Sequence, residues 1–312
     1  MLAAVSALTF ALLSAAGGDA LTSLAVQPEV SESAVREMRR VYGLDDPAAV
    51  RYWRWLSGFA RGRMGYSTYF RAPVSAILLP RLARTLLLAA VALGCSWAVA
   101  LVFGVQAARR PRGWWDRASG VIVLAASSVP RLVLALAALA VAARTNLFPI
   151  GGAGGSDLSP SRVLPPALVL SAPLVALFLA QTRESLREAL GADFVRVARA
   201  KGLSERAVVF RHAMRAALNP LITIFGYSLG GIVGGSVIVE TVFGYPGLGS
   251  LGVAAVKERD VPLLMGVVMV TAAAVLLGNL LADVLLRLND PRLRREDDDR
   301  RKARAATSAG AA

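Results

Sequence analysis

Few side chains in this sequence could do covalent or metal chemistry. His212 is the single histidine and Cys95 the single cysteine. That excludes an intramolecular disulfide, a multi-cysteine metal site and a two-histidine zinc motif. Lys201, Lys257 and Lys302 are followed by Gly202, Glu258 and Ala303, so no G-x-x-x-x-G-K-[ST] phosphate loop exists. The expectation is no catalytic residue, no metal and no cofactor, with any ATP bound by another chain. Charge recognition is the chemistry that remains. Residues 183–219 carry eight basic side chains around Gly202. Arg183–Ala200 reads as a helix, with Glu184, Arg187 and Glu188 spaced along one face. Gly202 breaks it, because a turn there is hindered by a Cβ. Ser204 can cap a second helix, with Glu205 in its first turn, running toward Asn219-Pro220. Helix, glycine turn and helix make a shape suited to a groove on a soluble partner, and the cationic side chains suit acidic groups there. An ordinary basic loop that only fixes topology is the competing reading.

The elements that must position this loop are oily. The chain has 312 residues, 55% hydrophobic and 18% charged, yet 35 Lys+Arg against 21 Asp+Glu give a net charge of +14. A nucleic-acid binder can be this basic but is rarely this apolar. A polytopic membrane protein is both when its charges sit in loops. A bilayer core needs roughly 20 apolar residues per helix. Six runs approach that: Met1–Gly18, Thr85–Ala108, Ala118–Ala143 (interrupted by Arg131), Val163–Thr182, Ala216–Val239 and Val261–Ala282. The expected fold is therefore all-α, with six transmembrane helices and no nucleic-acid partner. The basic segments 106–117 and 183–215 and the tail after Leu286 alternate with the other loops, which places them and both termini in the cytoplasm. Segment 27–84, with ten arginines, opposes this but nears the length at which the rule weakens, about 60 residues.

Residues 1–26 then hold the first span, 27–80 an external region, 81–288 the remaining five helices with the loop at 183–219, and 289–312 a charged tail. A cleaved signal peptide is the rival for the N-terminus, but no positive charge precedes Asp19. The first run starts abruptly at Met1, so a true start further upstream is expected. In the external region Ser31–Val41 reads as a helix capped by Ser31 or Ser33. The aromatic run Tyr52, Trp53 and Trp55 reads as a local core or an interfacial belt. The stretch 151–162 is Gly/Ser-rich and reads as a loop.

Several stretches resemble a known family. AKGLSERAVVFRHAMRAALNPLIT, followed by GGSVIVETVFGYPGLGSLGVAAVKERDVPLLMG, is similar to the inner-membrane permeases of bacterial ABC importers, in the dipeptide/oligopeptide/nickel branch. Residues 42–67, 72–88 and 289–294 extend the resemblance in order along the chain. It implies a type I permease fold with six spans in the bacterial inner membrane. It also implies partners: two ABC ATPase subunits, a second homologous permease, and an extracytoplasmic substrate-binding protein docked on the external region. The loop between spans four and five would couple to the ATPase through Arg196, Ala198, Arg199, Ala200, Lys201, Gly202, Leu203, Ser204 and Glu205. Where the general motif has Glu-Ala-Ala, this sequence has Arg196-Val197-Ala198, which shifts the contact chemistry toward cations.

Two charges lie near or inside the runs. Arg131 follows Ser128-Val129-Pro130, where the family usually has a small polar residue. An arginine at mid-span costs ~2.5–3.5 kcal/mol on insertion scales. It either lines the translocation route and favours anionic groups, or sits near a span end and snorkels. Glu240, in VETVFGYPGLG, either helps close an outer gate at a tight glycine turn or is a solvated end charge. The resemblance implies an ATP-driven, binding-protein-dependent importer of peptides or a related solute. A self-sufficient secondary transporter or channel is the alternative, and it predicts internal repeats and mid-depth acidic residues, neither of which stands out.

Overall fold

The computed structural model describes residues 1–15, 32–41, 43, 45–145 and 159–290. Ser31, the Gly/Ser-rich residues 151–158 and the tail 291–312 lie outside the described residues. The chain is helical apart from one short hairpin. In order come α1 (Leu2–Ala15), α2 (Glu32–Val41), α3 (Ala48–Ala60), β1 (Tyr66–Ser67), β2 (Ala72–Pro73), α4 (Val74–Arg109), α5 (Trp114–Ser128), α6 (Arg131–Thr145), α7 (Pro160–Gly191), α8 (Asp193–Ala200), α9 (Glu205–Ala207), a π-helical turn (Val208–Ala213), α10 (Met214–Phe243), α11 (Leu248–Lys257) and α12 (Val261–Asn289).

Among the described residues four helices are long and apolar enough to cross a membrane: α4, α7, the continuous run Glu205–Phe243, and α12. The shortest has 29 residues, about 43 Å of helix against a hydrocarbon core of about 30 Å. The chain is thus an all-helical, multi-pass membrane protein with four such spans, or five if α5 and α6 count as one. Those two helices fill the expected span 118–143, but they meet at 98°. Pro130 explains the break. It has no N–H to continue the ladder and it drives the preceding residue out of the helical region, and Val129 is extended at ψ 122°. The expected first span appears as α1, whose 14 residues are shorter than a full crossing. Ser33 lies inside α2 rather than at its cap.

The described residues group into two compact units. The first comprises residues 1–91, 131–170 and 232–275. In it α1 packs on α3. Ser6 Oγ lies 3.0 Å from Tyr52 Oη, and Phe10, Tyr52, Trp55 and Phe59 stack in sequence. The aromatic run is therefore a local core, with Trp53 on its exposed side. A second core joins Val74 and Leu78 of α4 to Leu248, Leu251 and Ala255 of α11 and to Leu263 and Val267 of α12. Gly266 lets α12 approach, since a Cβ there would meet Val74 at 2.7 Å. The hairpin β1–β2 pairs Tyr66 with Pro73 and Ser67 with Ala72. It is tied down by Asp260, which is fully buried. One Asp260 carboxylate oxygen accepts from Ser67 Oγ (2.6 Å) and the Tyr69 N–H (3.2 Å), and the other accepts from the Leu263 N–H (3.1 Å) at the start of α12.

The second unit comprises residues 92–130, 171–231 and 276–312. Small residues set its helix spacing, as is usual where lipid gives no hydrophobic drive to associate. Gly104 faces Thr182, Gly226 faces Ala282 and Gly278 faces Leu229, each too close for a Cβ. Trp97 fills the space beside them against Phe178 and Phe225. The helix continues through Asn219-Pro220. Pro220 removes a donor and strains the turn before it. There Asn289 Nδ2 donates to the Arg215 carbonyl (2.9 Å) and to Asn219 Oδ1 (2.6 Å), while Asn219 Nδ2 donates to Asp290 (3.0 Å).

Replacing Asp260 by alanine leaves one hydroxyl and two N–H groups without their acceptor. A loss of roughly 2–3 kcal/mol is expected. Hydrogen exchange should accelerate at residues 66–73 before the rest of the chain opens.

Candidate functional site

The basic loop folds as two helices about a tight turn, with boundaries that differ from expectation. The helix expected over Arg183–Ala200 is in two parts. α7 ends at Gly191, and α8 starts at Asp193 after Ala192 adopts extended backbone (ψ 153°). Glycine is a poor helix residue, and an acid in the first turn suits the positive end of the new helix. At the other end Gly202 has φ +76°. Its N–H donates to the Arg199 carbonyl (2.9 Å), and the Leu203 N–H donates to the Ala198 carbonyl (3.4 Å). This pair of bonds is the Schellman ending, which places glycine in the left-handed position. Ser204 follows in extended geometry, and its Oγ accepts the Ala207 N–H (3.4 Å), so it is the expected cap. Arg199 reaches across the turn to Glu205 (2.8 Å). That hydrogen bond holds the exposed Glu205 carboxyl below its ordinary value.

One face of this motif is anchored. Val195 and Ala198 of α8 are buried with Val208, Val209 and Ala213 of the π turn, against Val105, Ala108, Leu186 and Ala189. In a π-helix residues five apart stack, which puts Val208 and Ala213 on the same inner side. Ala198 therefore belongs to the anchor and not to the exposed face. The opposite face is exposed and mixed: Phe194, Val197, Leu203 and Phe210 are large apolar side chains in the open. Arg196, Arg199, Ala200, Lys201, Gly202, Ser204 and Glu205 are exposed beside them. Sequence reasoning named the cations and Leu203 and missed Phe194, Val197 and Phe210, although Phe194 and Val197 carry a helical spacing that could have shown them.

A second feature was not anticipated. Asp116 accepts from Arg187 Nη2 (2.9 Å) and from the backbone N–H of Arg112 (2.9 Å), with Arg183 Nη1 at 3.5 Å. Arg187 is thus paired with Asp116 rather than with Glu184. The Arg112 N–H, and then Arg187, hold the Asp116 carboxyl below its ordinary value. A lone acid in the basic segment 106–117 was the available signal.

Glu240 and Arg131 lie in the first unit. Glu240 is fully buried, so it is not a solvated end charge. Its carboxylate accepts from Thr85 Oγ1 (2.8 Å) and from the Ser250 N–H (2.9 Å) in the first turn of α11. Thr85 Oγ1 in turn accepts the Leu248 N–H (2.8 Å). Gly244 has φ +63°, and Gly247 packs directly on the Glu240 carboxylate. The tight glycine turn expected here is present, and Glu240 holds it. Arg131 is the first residue of α6, half-buried, at the bend after Pro130.

Comparison with known proteins decides the family. Residues 100–295 match the family described as binding-protein-dependent transport system inner membrane component, and residues 1–89 match its N-terminal region. The chain belongs to this family. It is 34% identical over 301 residues to the oligopeptide transport system permease protein AppB of Bacillus subtilis, covering 94% of this chain and 95% of that one. It is 36% identical over 304 residues to a putative peptide permease protein of Brucella suis, with the same coverage. It is 33% identical over 293 residues to the glutathione transport system permease protein GsiC of Escherichia coli, covering 93% and 94%. The loop about Gly202, the Glu240 turn and Arg131 all lie within the inner-membrane-component match.

In this permease subunit the Asp116 contribution is present above the ordinary carboxylate range and is lost as pH falls through the lowered value. Asp116→Asn should lower the melting temperature by about 2–5 °C at neutral pH. The gap to the unaltered protein should close only in strong acid. Thermal unfolding in detergent across pH checks this.

Proposed function

We propose that this permease subunit is half of the membrane pathway of an ATP-driven, binding-protein-dependent importer of di- or oligopeptides or a related solute. Two separate ATPase subunits, a second homologous permease and an external substrate-binding protein complete it. The observation that carries the reading is the exposed face of the α8–α9 turn. Four apolar side chains ringed by arginine and lysine stand on a motif whose other face is locked into a core. Apolar anchors with a charged rim are what a partner's groove recognises. The basic loops favour the cytoplasmic side for this face and for both termini. Six spans, counting α1 and the bent α5–α6 pair, fit that sidedness. Peptide as cargo is supported by the relatives, which are named for oligopeptide, peptide and glutathione transport.

The mechanism follows from rigidity. ATP-driven closure of the two ATPases moves the grooves in which the loops sit. Because Val195, Ala198, Val208 and Val209 are buried, the turn moves with its unit instead of deforming. Glu205 and Glu240 belong to one continuous helix, so a displacement at the turn is carried along it to the Gly244–Gly247 turn. The result is alternating access, with the external side closed while the cytoplasmic side is open and the reverse. The chain itself holds no chemistry; it converts a partner's motion into a change of opening.

Replacing Phe194 and Phe210 together by glutamate should leave the protein in the membrane. Recovery of the ATPase subunits on co-purification, and ATP-driven peptide uptake, should each fall at least about tenfold. Normal assembly and uptake in this variant would remove the assignment of the turn as the coupling surface.

A further inference from the structure

Arg131 is out of place for a lipid-facing or structural arginine. It stands at the start of α6, immediately after the bend, within what the sequence offers as a single apolar run. A snorkelling arginine extends along its own helix toward water. This one lies instead against α10. Its guanidinium is packed on Gly235, where even a methyl group would overlap it. The adjacent Gly234 faces open space. No carboxylate pairs with Arg131 among the described residues. Glu240, five residues along α10 from Gly235, is committed to Thr85 and Ser250. The N-terminus of α6 adds partial positive charge to the same place instead of offsetting it. An unbalanced cation inside a membrane protein normally faces a partner or a water-filled cavity.

From this geometry, and resting on the reading as a peptide importer, we propose that Arg131 binds the carboxylate of the substrate as it passes. A guanidinium offers two parallel N–H donors matched to the two oxygens of a carboxylate. Gly235 makes room for the guanidinium itself, and the open space at the adjacent Gly234 is the room that a ligand backbone needs. Arg131 then favours cargo with a free terminal carboxyl over cargo without one, independently of the selection made by the external binding protein.

The test uses the complete importer in proteoliposomes, with unaltered permease, Arg131→Gln and Arg131→Lys. Uptake of trialanine is compared with uptake of its C-terminal amide. Arg131→Gln should cut trialanine uptake about tenfold or more and change amide uptake less than about twofold, while Arg131→Lys keeps most of the trialanine rate. Equal losses for both peptides, or trialanine uptake unchanged in Arg131→Gln, would overturn the proposal. If the amide is carried by none of the three, the trialanine rates decide alone: loss in Arg131→Gln with retention in Arg131→Lys supports it, and similar rates in both variants refute it. Loss of the second permease on co-purification of Arg131→Gln would show that Arg131 pairs with an acid of that subunit instead. Absence of any peptide uptake by the unaltered complex would refute the importer reading itself.

Discussion

A backbone N–H or C=O in hydrocarbon must find its partner within the protein, and nearly everything in this structure follows from that condition. It makes the chain helical, and it restricts departures from helix to places where something else supplies the missing bonds. At Gly244–Gly247 the supplier is Glu240, whose carboxylate takes the Ser250 N–H and orders Thr85 to take the Leu248 N–H. At the entrance to α12 it is Asp260. Glu240 and Asp260 are thus the fittings of the irregular backbone. No such backbone duty is found for the half-buried Arg131.

The Gly202 turn obeys a different logic, because it lies outside the apolar runs. Water can satisfy its backbone, so its rigidity comes from packing and from the Schellman bonds at Gly202. The exposed Arg199–Glu205 pair adds little to stability, since exposed ion pairs are worth about 0–1 kcal/mol. Its effect is to hold the two helix ends in one arrangement.

The sequence made the class of the protein, the glycine turn and the Ser204 cap legible. All three depend on local propensities or on long runs that read without tertiary information. The break at Gly191 was legible only in part: Gly191 and Asp193 carry the local signal for it, but the periodicity of Arg183–Ala200 reads across them. The 98° bend was half visible: Pro130 announced it, but hydropathy reads straight across. Glu240 was seen as a charge near a span end and Asp260 was not singled out, whereas both are buried. Their environments are built by residues far away in sequence, such as Thr85 and Ser67, which no window along the chain can reveal. Asp116 was hidden in the same way by its partner on α7.

The π turn at Val208–Ala213 sets the phase of everything before it. An α-helix advances about 100° per residue, so one residue fewer in this turn would rotate Leu203, Glu205 and Arg206 by a quarter-circle or more relative to the span that follows. The buried pair Val208–Val209 would leave the core and the apolar knobs would face sideways. The extra residue therefore acts as an indexing tooth: a deletion within these six positions re-aims the exposed Leu203–Arg206 end relative to the span that follows.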